Sequence, residues 1–173
     1  WYFEVLLSSA GCLNTRDRRV ALRLIGLEID TINVNWIVRR NVFYEGRKQE
    51  SEMSLISGGL YASVGVLGEA LSSGHPVRHL TTLFGDRMGV PSEIPAKEEE
   101  DPSRSSSRSL AFLEIMLQQQ MLYECRRILG GYPFSIGVVL AYYILVQQEA
   151  RNLITILNGK YYGMPSLQIE ALL

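Results

Sequence analysis

Cysteine is nearly absent from this chain: Cys12 and Cys125 are the two thiols in 173 residues. Two thiols build neither a disulfide framework nor a metal cluster, and such sparing use fits a reducing compartment. No charge of one sign dominates, with 17 basic residues against 18 acidic ones and a net charge of −1. Binding driven by phosphate contacts calls for a basic excess, so no nucleic-acid partner is expected. Long hydrophobic runs are missing too. The longest, IGVVLAYYILV from Ile136 to Val146, has 11 residues, where a spanning helix needs about 20. The opening WYFEVLLSSAG has no basic n-region and is not read as a signal peptide. It also has no Met and no helix-start signal, and it reads as cut from something longer. What remains is 47% apolar and 20% charged, the composition of a packed globular protein.

Nothing alternates at period 2, and the chain reads as all-α. From Arg16 to Tyr44 there is no proline and one glycine. Leu22, Ile25, Ile29, Ile32 and Trp36 step by 3, 4, 3 and 4, the period of one helical face. Asn14 and Asp17 form a capping-box pattern at its start, and Gly46 is a suitable stop. A second helix is expected over 49–56, ended by Gly58 and Gly59, which permit positive φ and a sharp reversal. Further helices are expected over 61–71, with Val64, Leu67 and Leu71 on one face, and over 77–88.

The stretch 91–109, PSEIPAKEEEDPSRSSSRS, differs in kind. Ile94 and Ala96 are its only apolar residues, among three prolines and six serines. So little burial cannot offset ordering entropy, which predicts a solvated loop or linker. Beyond it, Leu110, Leu113, Leu117 and Met121 space as a helix that reaches Leu129 and stops at Gly130 and Gly131. Ser135 is the expected N-cap of a last long helix, which continues through Tyr162 and ends at Gly163 with Pro165 beyond.

The two long helices superpose at an offset of 119 residues. Val20 falls on Val139, Leu24 on Tyr143, Leu27 on Val146 and Ile37 on Ile156. More informative is the polar pair within the stripe: Asp30 and Asn33 fall on Glu149 and Asn152, an acid and an amide one helical turn apart. Such pairs need partners if buried, and they are expected to fix a helix against its neighbour. The organisation is therefore read as a helical repeat over 1–90, a polar loop or linker over 91–109, and a second, incomplete helical repeat over 110–173.

The ordered set of residues resembles a known family. The C-terminal run carries Glu149, Arg151, Asn152, an apolar stretch 153–157, Gly159 with Lys160, and Gly163-Met164-Pro165. The first half carries LIGLEIDTINVNWIVRR with Glu28, Asp30, Asn33 and Arg39, followed by the Ser57-Gly58-Gly59 turn. Both halves resemble the C-type stalk subunit of V/A-type rotary ATPases (ATP synthases), the relative of the d-type subunit of eukaryotic V-ATPases. The resemblance implies a bundle of long antiparallel helices, built from about two of the family's three helical repeats. It implies a non-catalytic central-stalk subunit of a proton- or sodium-translocating ATPase, seated between the membrane rotor ring and the stalk. Its partners would be other ATPase subunits, on the cytoplasmic face, with membrane contact only through them. The chain would be a C-terminal piece of such a protein.

Chemistry-bearing motifs are missing. Lys160 follows Asn158 and Gly159 but belongs to no phosphate-binding loop, and SGGLYASVGVLG follows no strand. His75 and His79 stand four apart with Pro76 between them and no third ligand at metal spacing, so they are read as turn or surface residues. Cys12 and Cys125 are read as apolar packing residues. No catalytic residue, cofactor or metal is expected. Interface candidates are cations and aromatics off the apolar stripe, chiefly Arg39, Arg40, Arg151, Lys160 and Tyr161, with Arg47, Lys48, Arg126, Arg127 and Tyr162 beside them. The competing readings are a helical scaffold or adaptor for an unrelated soluble partner, and an enzyme with a helical active site, for which no converging acids or histidines are spaced.

Overall fold

The computed structural model describes residues 1–43, 55–73, 75–89 and 102–170, with side chains left aside at 38, 39, 41–43 and 102–111. Seven helices and no strand occur among the described residues: α1 (Tyr2–Gly11), α2 (Thr15–Phe43), α3 (Val64–Ser72), α4 (Pro76–Met88), α5 (Pro102–Leu129), α6 (Ile136–Tyr161) and α7 (Ser166–Glu170). The chain is all-α, as its periodicity predicts. It divides into two compact units, Trp1–Tyr123 and Glu124–Leu173.

In the first unit, α2 begins where its cap dictates. The Asn14 side-chain oxygen accepts from the backbone N–H of Arg16 at 3.1 Å and Asp17 at 3.0 Å. Its amide donates to the Asp17 carboxylate at 2.7 Å. Helix starts leave N–H groups unpaired, and this side chain satisfies two of them. Asn14→Ala is expected to cost about 1 kcal/mol, read as a lower urea midpoint at unchanged slope.

The core of this unit joins Leu27, Val34 and Ile37 of α2 to Leu67 and Ala70 of α3, to Val77, Leu80 and Phe84 of α4, and to Leu113, Met116 and Leu117 of α5. Tyr61 meets Phe84 edge-to-face at 6.4 Å, and its hydroxyl accepts from Gln120 at 3.0 Å. The face of α2 that packs includes part of the expected stripe and is wider than it. Ile25 and Ile29 are buried and Trp36 packs partly buried against the core, whereas Leu22 is 37% exposed and Ile32 38%. Leu24, Leu27, Asp30, Asn33, Val34 and Ile37 are buried beside them, so the polar pair lies within the packed face.

Other expectations also shift. Leu55 and Ile56 are not helical, and the remainder of the helix expected over 49–56 lies outside the described residues, as does Gly46. The helix expected from Tyr61 starts at Val64, with Ser63 as its N-cap. The backbone ahead of it is tied to α2: the N–H of Leu60 goes to the Gly26 carbonyl, and those of Tyr61 and Ala62 go to Asp30. Within the polar stretch expected as a loop, 102–109 is helical and forms the start of α5, with Pro102 at its first position. Pro is suited to that position because its ring presets φ and its missing N–H has no helical partner there. Residues 91–101 lie outside the described set.

In the second unit, α5 ends at Leu129, where the Gly130 N–H reaches the Arg126 carbonyl. Ser135 is the N-cap of α6 by position, but its side chain makes no capping bond. The far end closes as expected. Gly163 takes φ +67, its N–H donates to the Lys160 carbonyl at 3.1 Å, and the Met164 N–H donates to the Gly159 carbonyl at 2.9 Å. These two bonds make a Schellman stop. The turn brings α7 back onto α6, where Ile169 packs so tightly that a side chain at Gly159 would come within 2.7 Å of it.

Candidate functional site

The middle of α2 forms a polar clasp. Asp30 is fully buried, and its carboxylate accepts from the Tyr61 N–H at 2.7 Å and the Ala62 N–H at 3.3 Å. One turn on, Asn33 donates to the Ile56 carbonyl and accepts from the Ile56 N–H, both at 2.8 Å. The segment 55–62, which bends at Ser57 and again at Leu60 and Tyr61, is thus held through its backbone by side chains of α2. Glycine permits the approach. Gly58 adopts φ +100, a region that L side chains rarely occupy. At Gly59 a Cβ would overlap the Asp30 carboxylate. At Gly26 a Cβ would lie 3.0 Å from the Leu60 nitrogen.

Burial pushes the Asp30 carboxyl from its ordinary 3.8 up to about 6, against the opposing effect of the N–H groups of Tyr61, Ala62 and Leu60 and the charge of Arg87. The donors that hold Asp30 are backbone N–H groups, so the clasp holds chain rather than substrate.

The matching pair on α6 is placed differently. Glu149 is exposed, and Asn152 is half-buried, accepting from Gln148 of its own helix at 3.0 Å. Around Glu149 lies an exposed apolar and aromatic face. Val139, Tyr142, Val146, Leu153 and Leu157 follow steps of 3, 4, 7 and 4, and Glu149 fills the gap in that rhythm. Exposed apolar residues at this spacing make the face a candidate interaction surface.

The interface candidates fall as follows. Arg151 and Lys160 are exposed on α6, and Tyr161 is 84% exposed with its ring edge-to-face against Tyr162 at 5.2 Å. Arg40 is half-buried, its guanidinium 5.8 Å from the centre of the Trp36 ring. The side chain of Arg39 and all of Arg47 and Lys48 lie outside the described set. Arg126 and Arg127 are exposed near the end of α5, and Arg127 pairs with the buried Glu124 at 2.7 Å. Lys160, Tyr161 and Arg151 therefore share one helix with the apolar face, while Arg40 belongs to the other unit. Sequence reasoning missed Tyr142, Leu153, Ile154 and Leu157 as surface residues. The signal was the width of the apolar band on α6, broader than one buried stripe needs.

Cys12 is exposed rather than packed, its thiol 3.7 Å from the Ser8 carbonyl. Cys125 is buried, and burial, helped by the Glu124 charge, pushes its thiol up to about 11. His75 and His79 are exposed and line an open groove of about 480 Å³ with Ser73, Arg78, Thr82 and Asp86. Among the described residues no His, Cys, Asp and Glu cluster is fit to hold a metal, and no helix is long and apolar enough to cross a membrane.

Comparison with known proteins gives two findings. The family model for the ATP synthase (C/AC39) subunit matches residues 1–172. The C-type subunit of the A-type ATP synthase of Archaeoglobus fulgidus is 36% identical over 63 residues, which are 36% of this chain and 18% of that relative. The match thus covers under a fifth of the relative's length. No solved structure matches the chain.

Proposed function

The chain belongs to the ATP synthase (C/AC39) subunit family, and from that premise we propose that it is a non-catalytic coupling subunit of a V/A-type ATPase. It links the membrane rotor ring to the central stalk of a proton- or sodium-translocating complex. The family match over 1–172 carries this reading. The exposed face of α6, with Tyr161, Lys160 and Arg151 along the same helix, supports it, because a coupling part works through surfaces. Large aromatics and arginine are the usual anchors of such contacts. The partners are other ATPase subunits, and the chain sits peripherally on the cytoplasmic face, meeting the membrane through them. Catalysis belongs to those other subunits.

The test is a reconstitution of stalk, ring and catalytic head with and without this subunit. Omitting it is expected to abolish ATP-driven ion pumping while the head still hydrolyses ATP. Normal assembly and pumping without it would overturn the reading and favour the adaptor alternative.

A further inference from the structure

At an offset of 119 residues α2 falls on 134–162, and α6 occupies Ile136–Tyr161 of that span. The two helices differ in what covers them. On α2 the acid and amide lie beneath the backbone of 55–62. On α6 the matching pair is uncovered. Glu149 is exposed and, among the described residues, its carboxylate has no hydrogen-bond or ion-pair partner. The flanking positions agree. Leu27 and Val34, fully buried on α2, fall on Val146 and Leu153, which are 42% and 55% exposed.

We propose that this face of α6 docks a bent, non-helical, glycine-containing backbone segment of a partner protein, seated on Glu149 and Asn152 as 55–62 is seated on Asp30 and Asn33. Complementarity of charge and hydrogen bonding selects the occupant. A carboxylate set among apolar side chains needs N–H donors once water leaves. A helix has its N–H groups engaged internally beyond its first turn and cannot offer two neighbours sideways. A bent, non-helical segment does: in 55–62, with Gly58 at φ +100, the neighbouring N–H groups of Tyr61 and Ala62 turn toward one carboxylate. The α2 clasp shows why glycine is needed, since a Cβ at Gly59 would overlap the Asp30 carboxylate. One difference shapes the site. Gly26, where the Leu60 backbone comes close, falls on Leu145, so an incoming chain stands off there and concentrates its contacts on 146–157. The inference stands on the repeat and does not depend on the coupling role.

The test titrates the ¹⁵N-labelled full chain with the capped peptide LISGGLYA, the sequence of 55–62. Saturable shifts are expected in the backbone amides of 143–157. Glu149→Gln combined with Asn152→Leu is expected to weaken binding about tenfold. Neither position is buried, and an unchanged spectrum elsewhere verifies the fold. The same peptide with both glycines replaced by valine is expected not to bind. No shift in α6, equal binding of the valine peptide, or full affinity in the double variant would overturn the proposal. So would shifts confined to α2, which would mean exchange with the chain's own segment. Shifts that grow with protein concentration alone and vanish in the double variant would assign the face to a second copy, and would overturn it as well.

Discussion

Gly59→Ala is expected to destabilise the unit Trp1–Tyr123 by at least about 3 kcal/mol, the range reached when overpacking and broken buried hydrogen bonds combine. Backbone strain is not the reason, because Gly59 is not among the positive-φ glycines. The reason is space. A methyl group there would overlap the Asp30 carboxylate and lie 2.5 Å from the Ala62 carbonyl. Neither neighbour can yield cheaply. The carbonyl is backbone, and the carboxylate is fixed by the N–H groups of Tyr61 and Ala62. Moving Asp30 aside would strand those donors and leave a buried acid unsatisfied. Gly65→Ala supplies the control. Nothing lies within 4 Å of a Cβ at Gly65, inside α3, so that change is expected to be neutral or to stabilise by up to about 1 kcal/mol. Urea unfolding of both variants checks the pair. A Gly59→Ala protein as stable as its parent would mean that 55–62 is not seated on Asp30.

The contrast between those glycines shows what a sequence can and cannot convey. Helix type and several helix ends are set locally and were legible, whereas α1 and α7 were not foreseen. The Asn14 and Asp17 pattern forms its cap, Leu113 and Leu117 are buried, and Gly163 followed by Pro165 stops α6. The segment 55–63 was not legible, because its fate is decided by side chains 23 to 32 positions away. Locally, Leu55 to Ala62 looks like a helix end, a turn and a helix start. Only tertiary structure reveals that Asp30 and Asn33 tie this backbone to α2 at Ile56, Tyr61 and Ala62. The packed face of α2 was only partly legible: Ile25 and Ile29 are buried as their spacing suggests, but Leu24, Leu27, Val34 and Ile37 are buried beside them. At 102–109 the error was compositional. Prolines, serines and the scarcity of apolar residues suggested a solvated linker, yet a helix anchored further along by Leu113 and Leu117 extends backwards at little cost, and Pro102 marks its first turn. For α6, the apolar residues were legible but their exposure was not, since periodicity is the same whether or not a partner covers the stripe.

The pH dependence of stability is expected to carry the signature of Asp30. Burial raises its carboxyl from 3.8 to about 6, because removing the charge from water outweighs the N–H groups that favour it. A folded pKa above the unfolded value means that the fold prefers the protonated acid. The resulting stabilisation is fully present below about pH 3.8 and is lost as pH rises through about 6. Across that window the difference amounts to roughly 3 kcal/mol. Other carboxylates titrate over part of the same range, so the measurement is a difference against Asp30→Asn, whose amide does not titrate. Asparagine keeps one acceptor oxygen for Tyr61 or Ala62 but turns an NH₂ toward the other donor, so this variant is expected to start from lower stability in acid. Urea unfolding of both proteins from about pH 4 to about pH 8 should show the advantage of the parent shrinking as pH rises, with half of it gone near pH 5 and little further change above about pH 6. An advantage that stayed constant would mean that Asp30 keeps an ordinary carboxyl in the fold. One that grew with pH would mean that its backbone donors, rather than its burial, set its charge.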